Sequence, residues 1–207
     1  MPALNDILHD RLKATEQAGL KRELTAQTLD SGPFVTRAGK RYINFSGNDY
    51  LGLRTHPEVI AAARQATEEA GAGSGASRLV TGNSAYYAPL ETRLAAHKRA
   101  ESALAFGSGY LANMGTIAAL AGEGDLILAD KLIHACMLDG ARLSGATLKR
   151  FAHNDTAHLA RLLTEHRNRY NHCLILTESV FSMDGDLAPV SEMVDLKDRF
   201  GAWLLLD

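Results

Sequence analysis

From residue 86 to residue 207 short apolar segments alternate with amphipathic ones, and this alternation limits the fold more than any other feature. The spacing predicts a helix at Pro89–Lys98, a strand at Ala103–Phe106, a helix at Leu111–Ala121 and a strand at Leu126–Ala129. It continues with a helix near Ala135–Leu143, a strand at Leu148–Phe151 and a helix at Thr156–Arg167. A strand at Cys173–Thr177, a helix at Val190–Phe200 and a strand over 202–207 complete the run. Brief apolar runs bounded by turn residues read as buried strands, whereas apolar positions spaced three and four apart read as helix. Strands separated by helices run parallel, so the expected class is α/β, a mostly parallel sheet with flanking helices.

A smaller lobe precedes this region. Residues 3–29 read as a helix and its run-on, with Leu4, Ile7, Leu8 and Leu12 loosely on one face. Ser31-Gly32-Pro33 breaks it. Phe34-Val35-Thr36 and Tyr42-Ile43-Asn44-Phe45, joined through Ala38-Gly39-Lys40, read as a small antiparallel hairpin. A further helix opens at Pro57, has Val59, Ile60, Ala63 and Ala66 on one face, and stops at Gly71. The expected boundary lies near residue 55, with 1–55 as an N-terminal lobe and 56–207 as the large domain.

Composition removes several classes of function. The 207 residues are 46% hydrophobic, enough for a substantial core. A net charge of −2 gives no field for capturing nucleic acid or an anionic membrane. No uncharged stretch approaches the length of a spanning helix. The start Met1-Pro2-Ala3-Leu4-Asn5-Asp6 lacks the basic and apolar regions of a secretory signal. Two cysteines, Cys136 and Cys173, are too few for a disulfide framework or a zinc site. They read as reduced core thiols of a cytoplasmic protein, and no metal is expected.

Four places could carry chemistry. Phe106-Gly107-Ser108-Gly109-Tyr110 turns from an expected strand into a helix. Its amides and the Ser108 hydroxyl would face an anion, unless the segment is an ordinary tight turn. His134 follows the strand Leu126–Ala129 near a helix start. It could stack on an aromatic group or move a proton, or simply cap the helix. Thr177 to Asp186 follows another strand, and Ser182 there could donate to a ligand oxygen. Asp207 ends the strand Ala202-Trp203-Leu204-Leu205-Leu206, where an acid suits a protonated ring nitrogen. Parallel sheets bind ligands at the carboxyl ends of their strands, so the four gain weight together. His153 also follows a strand. His9, His56, His97, His158, His166 and His172 read as solvated. Gly71-Ala72-Gly73-Ser74-Gly75-Ala76 fits a dinucleotide pattern, but a helix precedes it and not a strand.

These segments together resemble the α-oxoamine synthases, which are fold-type-I enzymes dependent on pyridoxal phosphate (PLP). The likeness rests on Asn44-Phe45-Ser46-Gly47-Asn48-Asp49-Tyr50-Leu51-Gly52-Leu53 and Gly73-Ser74-Gly75-Ala76-Ser77-Arg78. It rests also on Gly107-Ser108-Gly109-Tyr110, Asp130 with His134-Ala135, Glu178 with Val180-Phe181-Ser182-Met183-Asp184-Gly185-Asp186, and Leu206-Asp207. Arg78-Leu79-Val80-Thr81-Gly82 and Arg150-Phe151-Ala152-His153-Asn154-Asp155 favour the members that join L-alanine to a pimeloyl thioester in biotin biosynthesis. The glycine-using relatives are the alternative, and a non-catalytic PLP-fold half-protein is another.

The resemblance implies PLP as cofactor and a fold-type-I large domain. It implies that Asp207 keeps the ring nitrogen protonated, that His134 stacks on the ring, and that Ser182 contacts the ring oxygen. Ser108, Gly109, Tyr110 and Glu178 would lie around the cofactor. Arg22 and Asn48, with His134, would meet substrate. It implies a homodimer with L-alanine and a pimeloyl thioester as substrates, from CoA or a carrier protein. Family members run to about twice this length, and carry a histidine and then the Schiff-base lysine after the matching aspartate. Neither is among these 207 residues. The expectation is therefore an N-terminal half, not competent alone, whose final strand presents an apolar edge.

Overall fold

A computed structural model describes residues 3–30 and 32–207. Ser31, part of the expected break, and Met1 and Pro2, read for a leader, lie outside the described residues. The chain divides into two compact units, one up to Ser84 and one over Ala85–Asp207. The sequence places a lobe boundary near 55. The helix over 57–70 instead groups with the first unit; it has no buried residue and contacts the helical turn just before it.

In the first unit, helix α1 (Leu4–Gln17) ends well short of the expected run-on, and none of its residues is buried. Strand β1 (Gln27–Leu29) follows, where the sequence suggested helix run-on. It pairs antiparallel with β2 (Phe34–Arg37), which pairs with β3 (Lys40–Ile43). The β2–β3 turn has two residues, Ala38 and Gly39, both at positive φ (49° and 74°). Such a turn matches the twist of a hairpin and sets the register Arg37 to Lys40. Helix α2 (Pro57–Ala70) begins on its proline and stops at Gly71, as its sequence implied. A π-helical turn (Arg78–Gly82) follows the glycine loop.

The second unit carries the parallel sheet. Its helices are α3 (Tyr87–Lys98), α4 (Gly109–Leu120), α5 (Ala135–Ser144), α6 (Thr156–His166) and α7 (Val190–Phe200). Its strands are β4 (Leu126–Asp130), β5 (Thr147–Phe151), β6 (Cys173–Thr177) and β7 (Trp203–Leu206). All run parallel in the order β5-β4-β6-β7. The central strands β4 and β6 are buried throughout. Their side chains alternate between faces. Ile127, Ala129, Leu174 and Leu176 join Ile117 of α4 and Met137 of α5 in one core. Leu126, Leu128 and Ile175 join Leu159 and Leu163 of α6 and Met193 of α7 in the other. Each fully buried leucine contributes about 1.5–3 kcal/mol, so two-sided burial makes these strands the most strongly held part of the unit.

The strand expected at Ala103–Phe106 does not form. Its apolar pattern matched a strand, but the segment joins neither sheet. The Ala105 amide donates instead to Glu91 Oε1 at 2.8 Å. The histidines read as solvated also differ in part. His166 is buried, His172 stacks on Trp203 with centroids 4.9 Å apart, and His158 Nδ1 accepts from the Ala152 amide at 3.1 Å. Cys136 and Cys173 are free and buried. Among the described residues no helix is long and apolar enough to cross a membrane.

Candidate functional site

The strand order creates a switch point. The chain leaves β4 for β5 on one side, and β6 then pairs with β4 on the other. Between β4 and β6 the connections diverge, and a crevice opens at the carboxyl ends of the strands. The segment 131–134 and the loop 178–188 flank it. His134, Glu178, Phe181 and Ser182 line a cavity of about 230 Å³ there. The loop is held closed on itself by Phe181 N–H to the Asp186 carbonyl (3.0 Å) and Gly185 N–H to the Phe181 carbonyl (2.7 Å).

His134 is the N-cap of α5. Its Nδ1 accepts from the Cys136 amide at 3.2 Å, so the proton of the neutral imidazole sits on Nε2. Cys136 Sγ also lies 2.9 Å from Nδ1. The His134 amide donates to Glu178 Oε1, tying the two sides of the crevice together. Burial pushes the Glu178 carboxyl above the ordinary glutamate value. The His134 amide opposes that shift, and the nearby Asp207 charge adds to it.

Asp207 sits where β7 ends. Its N–H donates to the Thr177 carbonyl at 3.0 Å, and its main-chain oxygen accepts from Ser179 N–H (2.7 Å) and Ser179 Oγ (3.0 Å). The backbone is thus fixed to β6 while the side chain stays exposed. Oδ2 accepts from Asn113 Nδ2 at 2.8 Å. The same amide nitrogen lies 3.3 Å from Cys136 Sγ. A continuous chain of contacts therefore runs Asp207–Asn113–Cys136–His134. The sequence reading missed Asn113. The signal available was an amide inside the uncharged, mostly apolar run Leu111–Ala121.

At the start of α4, Ser108 Oγ accepts from the Leu111 amide at 3.2 Å and caps the helix. Gly109 and Tyr110 form its first turn. The Tyr110 hydroxyl donates to the Asp139 carboxylate. That bond raises the phenol above its ordinary value and lowers the Asp139 carboxyl. The Tyr110 ring stands edge-on to His134 with centroids 6.3 Å apart.

A second polar cluster braces the crevice. His153 Nδ1 lies 2.9 Å from Asp130 Oδ1, and its Nε2 lies 2.8 Å from Asp186 Oδ2. Asn154 donates its backbone amide to Asp130 Oδ2 and its side-chain amide to Asp186 Oδ2, each at 2.8 Å. The cluster joins the end of β4, the turn after β5 and the loop after β6. Burial opposes a charge on His153. The hydrogen bonds and charges of Asp130 and Asp186 outweigh it, and the imidazole is raised above 6.5.

Of the residues singled out from sequence, His134, Glu178 and Ser182 meet in the crevice. Asp207 joins them through Asn113 and Cys136, and Tyr110 meets the His134 ring. Ser108 and Gly109 sit at the α4 N-terminus, which follows an irregular segment and not a sheet strand. Arg22 and Asn48 belong to the first unit, and both are exposed. Arg22 lies between α1 and β1. Asn48 lines a cleft of about 690 Å³ with Phe45, Tyr50 and Arg54. Among the described residues no group of three or more His, Cys, Asp or Glu side chains could hold a metal ion.

The family model of class I and II aminotransferases matches residues 40–207. The 8-amino-7-oxononanoate synthase of Methylobacterium nodulans is 53% identical over 206 residues, covering 100% of this chain and 54% of the relative. That of Methylobacterium radiotolerans is 51% identical over 207 residues, covering 100% and 55%. The chain thus spans about half the length of the curated relatives it matches. A serine palmitoyltransferase from S. paucimobilis, solved with a bound PLP–myriocin aldimine, superposes with a TM-score of 0.86 at 31% identity, covering 98% of this chain and 53% of that one. The 8-amino-7-oxononanoate synthase of Francisella tularensis gives a TM-score of 0.64 at 27% identity, covering 79% and 44%.

Proposed function

Because the chain belongs to the class I and II aminotransferase family, we propose that it forms the N-terminal part of a PLP-dependent α-oxoamine synthase. The reaction is the decarboxylative condensation of L-alanine with a pimeloyl thioester to 8-amino-7-oxononanoate, a step toward biotin. The observation that carries this reading is the constellation at the switch point. A carboxylate, an imidazole and a capped helix start are brought to one end of one sheet.

The donor set fits PLP. Asp207 offers an exposed carboxylate on a fixed backbone, suited to holding a proton on a pyridine nitrogen. His134 offers a ring oriented by its own cap, on a backbone tied to Glu178. The amides at Gly109 and Tyr110 open a 12-residue helix, whose N-terminus attracts a phosphate. Ser182 adds a hydroxyl donor on the crevice wall. Bound there, the cofactor would serve as an electron sink for a carbanion.

Each residue then has a physical task. The Asp207 carboxylate keeps a positive charge on the ring nitrogen, which strengthens the sink. His134 excludes water from one face of the ring. Ser182 orients it through an oxygen. In this reading Arg22 and Asn48 serve the substrate end, where a guanidinium suits a carboxylate or thioester carrier. The covalent lysine lies beyond Asp207, and the whole protein acts as a homodimer.

The test is an assay of the full-length protein with L-alanine and pimeloyl-CoA, in parallel with glycine and acetyl-CoA. The reading predicts carbon dioxide release and 8-amino-7-oxononanoate from the first pair alone. Turnover confined to the glycine pair would reassign the substrates. Failure to bind PLP at all would remove the reading.

A further inference from the structure

The polar chain between Asp207 and His134 contains a residue that neither motif nor spacing picked out. Asn113 stands on α4, and its amide donates 2.8 Å to Asp207 Oδ2. The same nitrogen lies 3.3 Å from the thiol of Cys136, a residue 2% exposed. That thiol sits 2.9 Å from His134 Nδ1. An amide nitrogen carries two protons, and both are directed here at named partners.

We infer that Asn113 is a positioning residue that fixes the Asp207 carboxylate and couples it, through the Cys136 thiol, to the His134 ring. This rests on the proposed PLP reading, in which those two groups hold the cofactor ring.

Three features support it. The Asp207 backbone is held on three hydrogen bonds, but its side chain has two torsions that only a partner of its own can fix. A charge-assisted hydrogen bond is the strong kind, and here it selects one carboxylate orientation. Asn113 itself cannot drift, because its backbone lies against α5. A Cβ placed on Gly140 would come within 3.3 Å of the Asn113 carbonyl and 3.1 Å of Met114 Cα. Finally, the Asn113 amide engages Oδ2 of Asp207 and not Oδ1.

The experiment uses the full-length protein with Asn113→Asp and Asn113→Ala. Asn113→Asp keeps the shape but replaces the donor with a second carboxylate, so packing alone would tolerate it. PLP affinity is read by absorbance titration, and the protonation of the cofactor nitrogen by the ¹⁵N shift of labelled PLP. The side-chain amide resonance of Asn113 is read in cofactor-free protein, with and without Asp207→Ala.

The expected result is a shift of the Asn113 amide resonance in cofactor-free Asp207→Ala. PLP affinity should fall at least about tenfold in Asn113→Asp, with a changed ring-nitrogen signal and an apo melting temperature near wild type. An Asn113 resonance indifferent to Asp207→Ala overturns the inference whatever the cofactor does. Unchanged PLP affinity and nitrogen signal in both Asn113 variants overturn it as well. Wild-type protein that shows the coupled resonance but takes up no PLP overturns the functional reading and, with it, the positioning role.

Discussion

His153 Nδ1 and Asp130 Oδ1 lie 2.9 Å apart, and the Asp130 carboxylate, which also accepts from the Asn154 amide, has no exposed surface. Asp186 holds the other ring nitrogen. Two carboxylates on one imidazole favour its charged form.

The sign of the pH effect follows. The folded value of His153 is raised above 6.5. Its stabilisation is therefore complete below the unfolded value and is lost as pH rises through the folded one. His153→Gln should cost about 1–3 kcal/mol below about pH 6, with a smaller deficit above the raised value. Thermal denaturation of both proteins across pH checks this. A deficit independent of pH would remove the charge from the argument.

Glu178 behaves in the opposite sense from an ordinary salt-bridged acid. Burial raises it, so the folded state prefers the protonated form. Its contribution to stability is largest below the unfolded carboxyl value and is lost as pH rises through the folded value. Glu178→Gln keeps an acceptor for the His134 amide but cannot ionise. Its melting temperature should rise relative to wild type as pH is taken from about 4 to about 8. A constant difference between the two proteins would refute the burial argument.

Gly140 permits the contact between α4 and α5. A methyl there would meet Ile117 Cβ and Met114 Cα, both at 3.1 Å, and one of these is backbone. Gly140→Ala should destabilise by about 1–3 kcal/mol, against the usual gain for alanine in a helix. Denaturant titration gives the answer. A stabilised variant would show that the helices separate without loss.

Cys173 is 1% exposed, and burial pushes its thiol up to about 11. The thiolate is the reactive form. Iodoacetamide at pH 8 should modify Cys173 only after denaturant is added, as read by peptide mass. Labelling of native protein within minutes would contradict the packing.

The elements legible in the sequence were those with a strong private pattern. Leu126–Asp130 and Cys173–Thr177 are uninterrupted or nearly uninterrupted apolar runs, and two-sided burial is the only economical fate of such runs. Helix α2 announced itself by a proline start and a glycine stop. Strand β1 was missed because Gln27–Leu29 has neither length nor alternation. The run Ala103–Phe106 had the pattern of a strand, yet a strand needs a neighbour, and periodicity says nothing about neighbours.

The candidate site divides the same way. His134, Ser182 and Asp207 were visible because each follows an apolar run. Asn113 was invisible because its partner lies 94 positions away. His153 was noticed, but its clamp of Asp130 and Asp186 comes from segments 23 and 33 residues distant.

The sequence by itself determined that the second unit is a parallel sheet covered by helices. It also marked the short apolar runs as buried strands, because apolar period and turn chemistry are local. Only the tertiary structure decided the order β5-β4-β6-β7 and the switch point it opens. It alone decided that one amide should join Asp207 to Cys136. The reason is physical. Burial is encoded residue by residue, whereas the partner of a hydrogen bond is chosen by packing between segments that are remote along the chain.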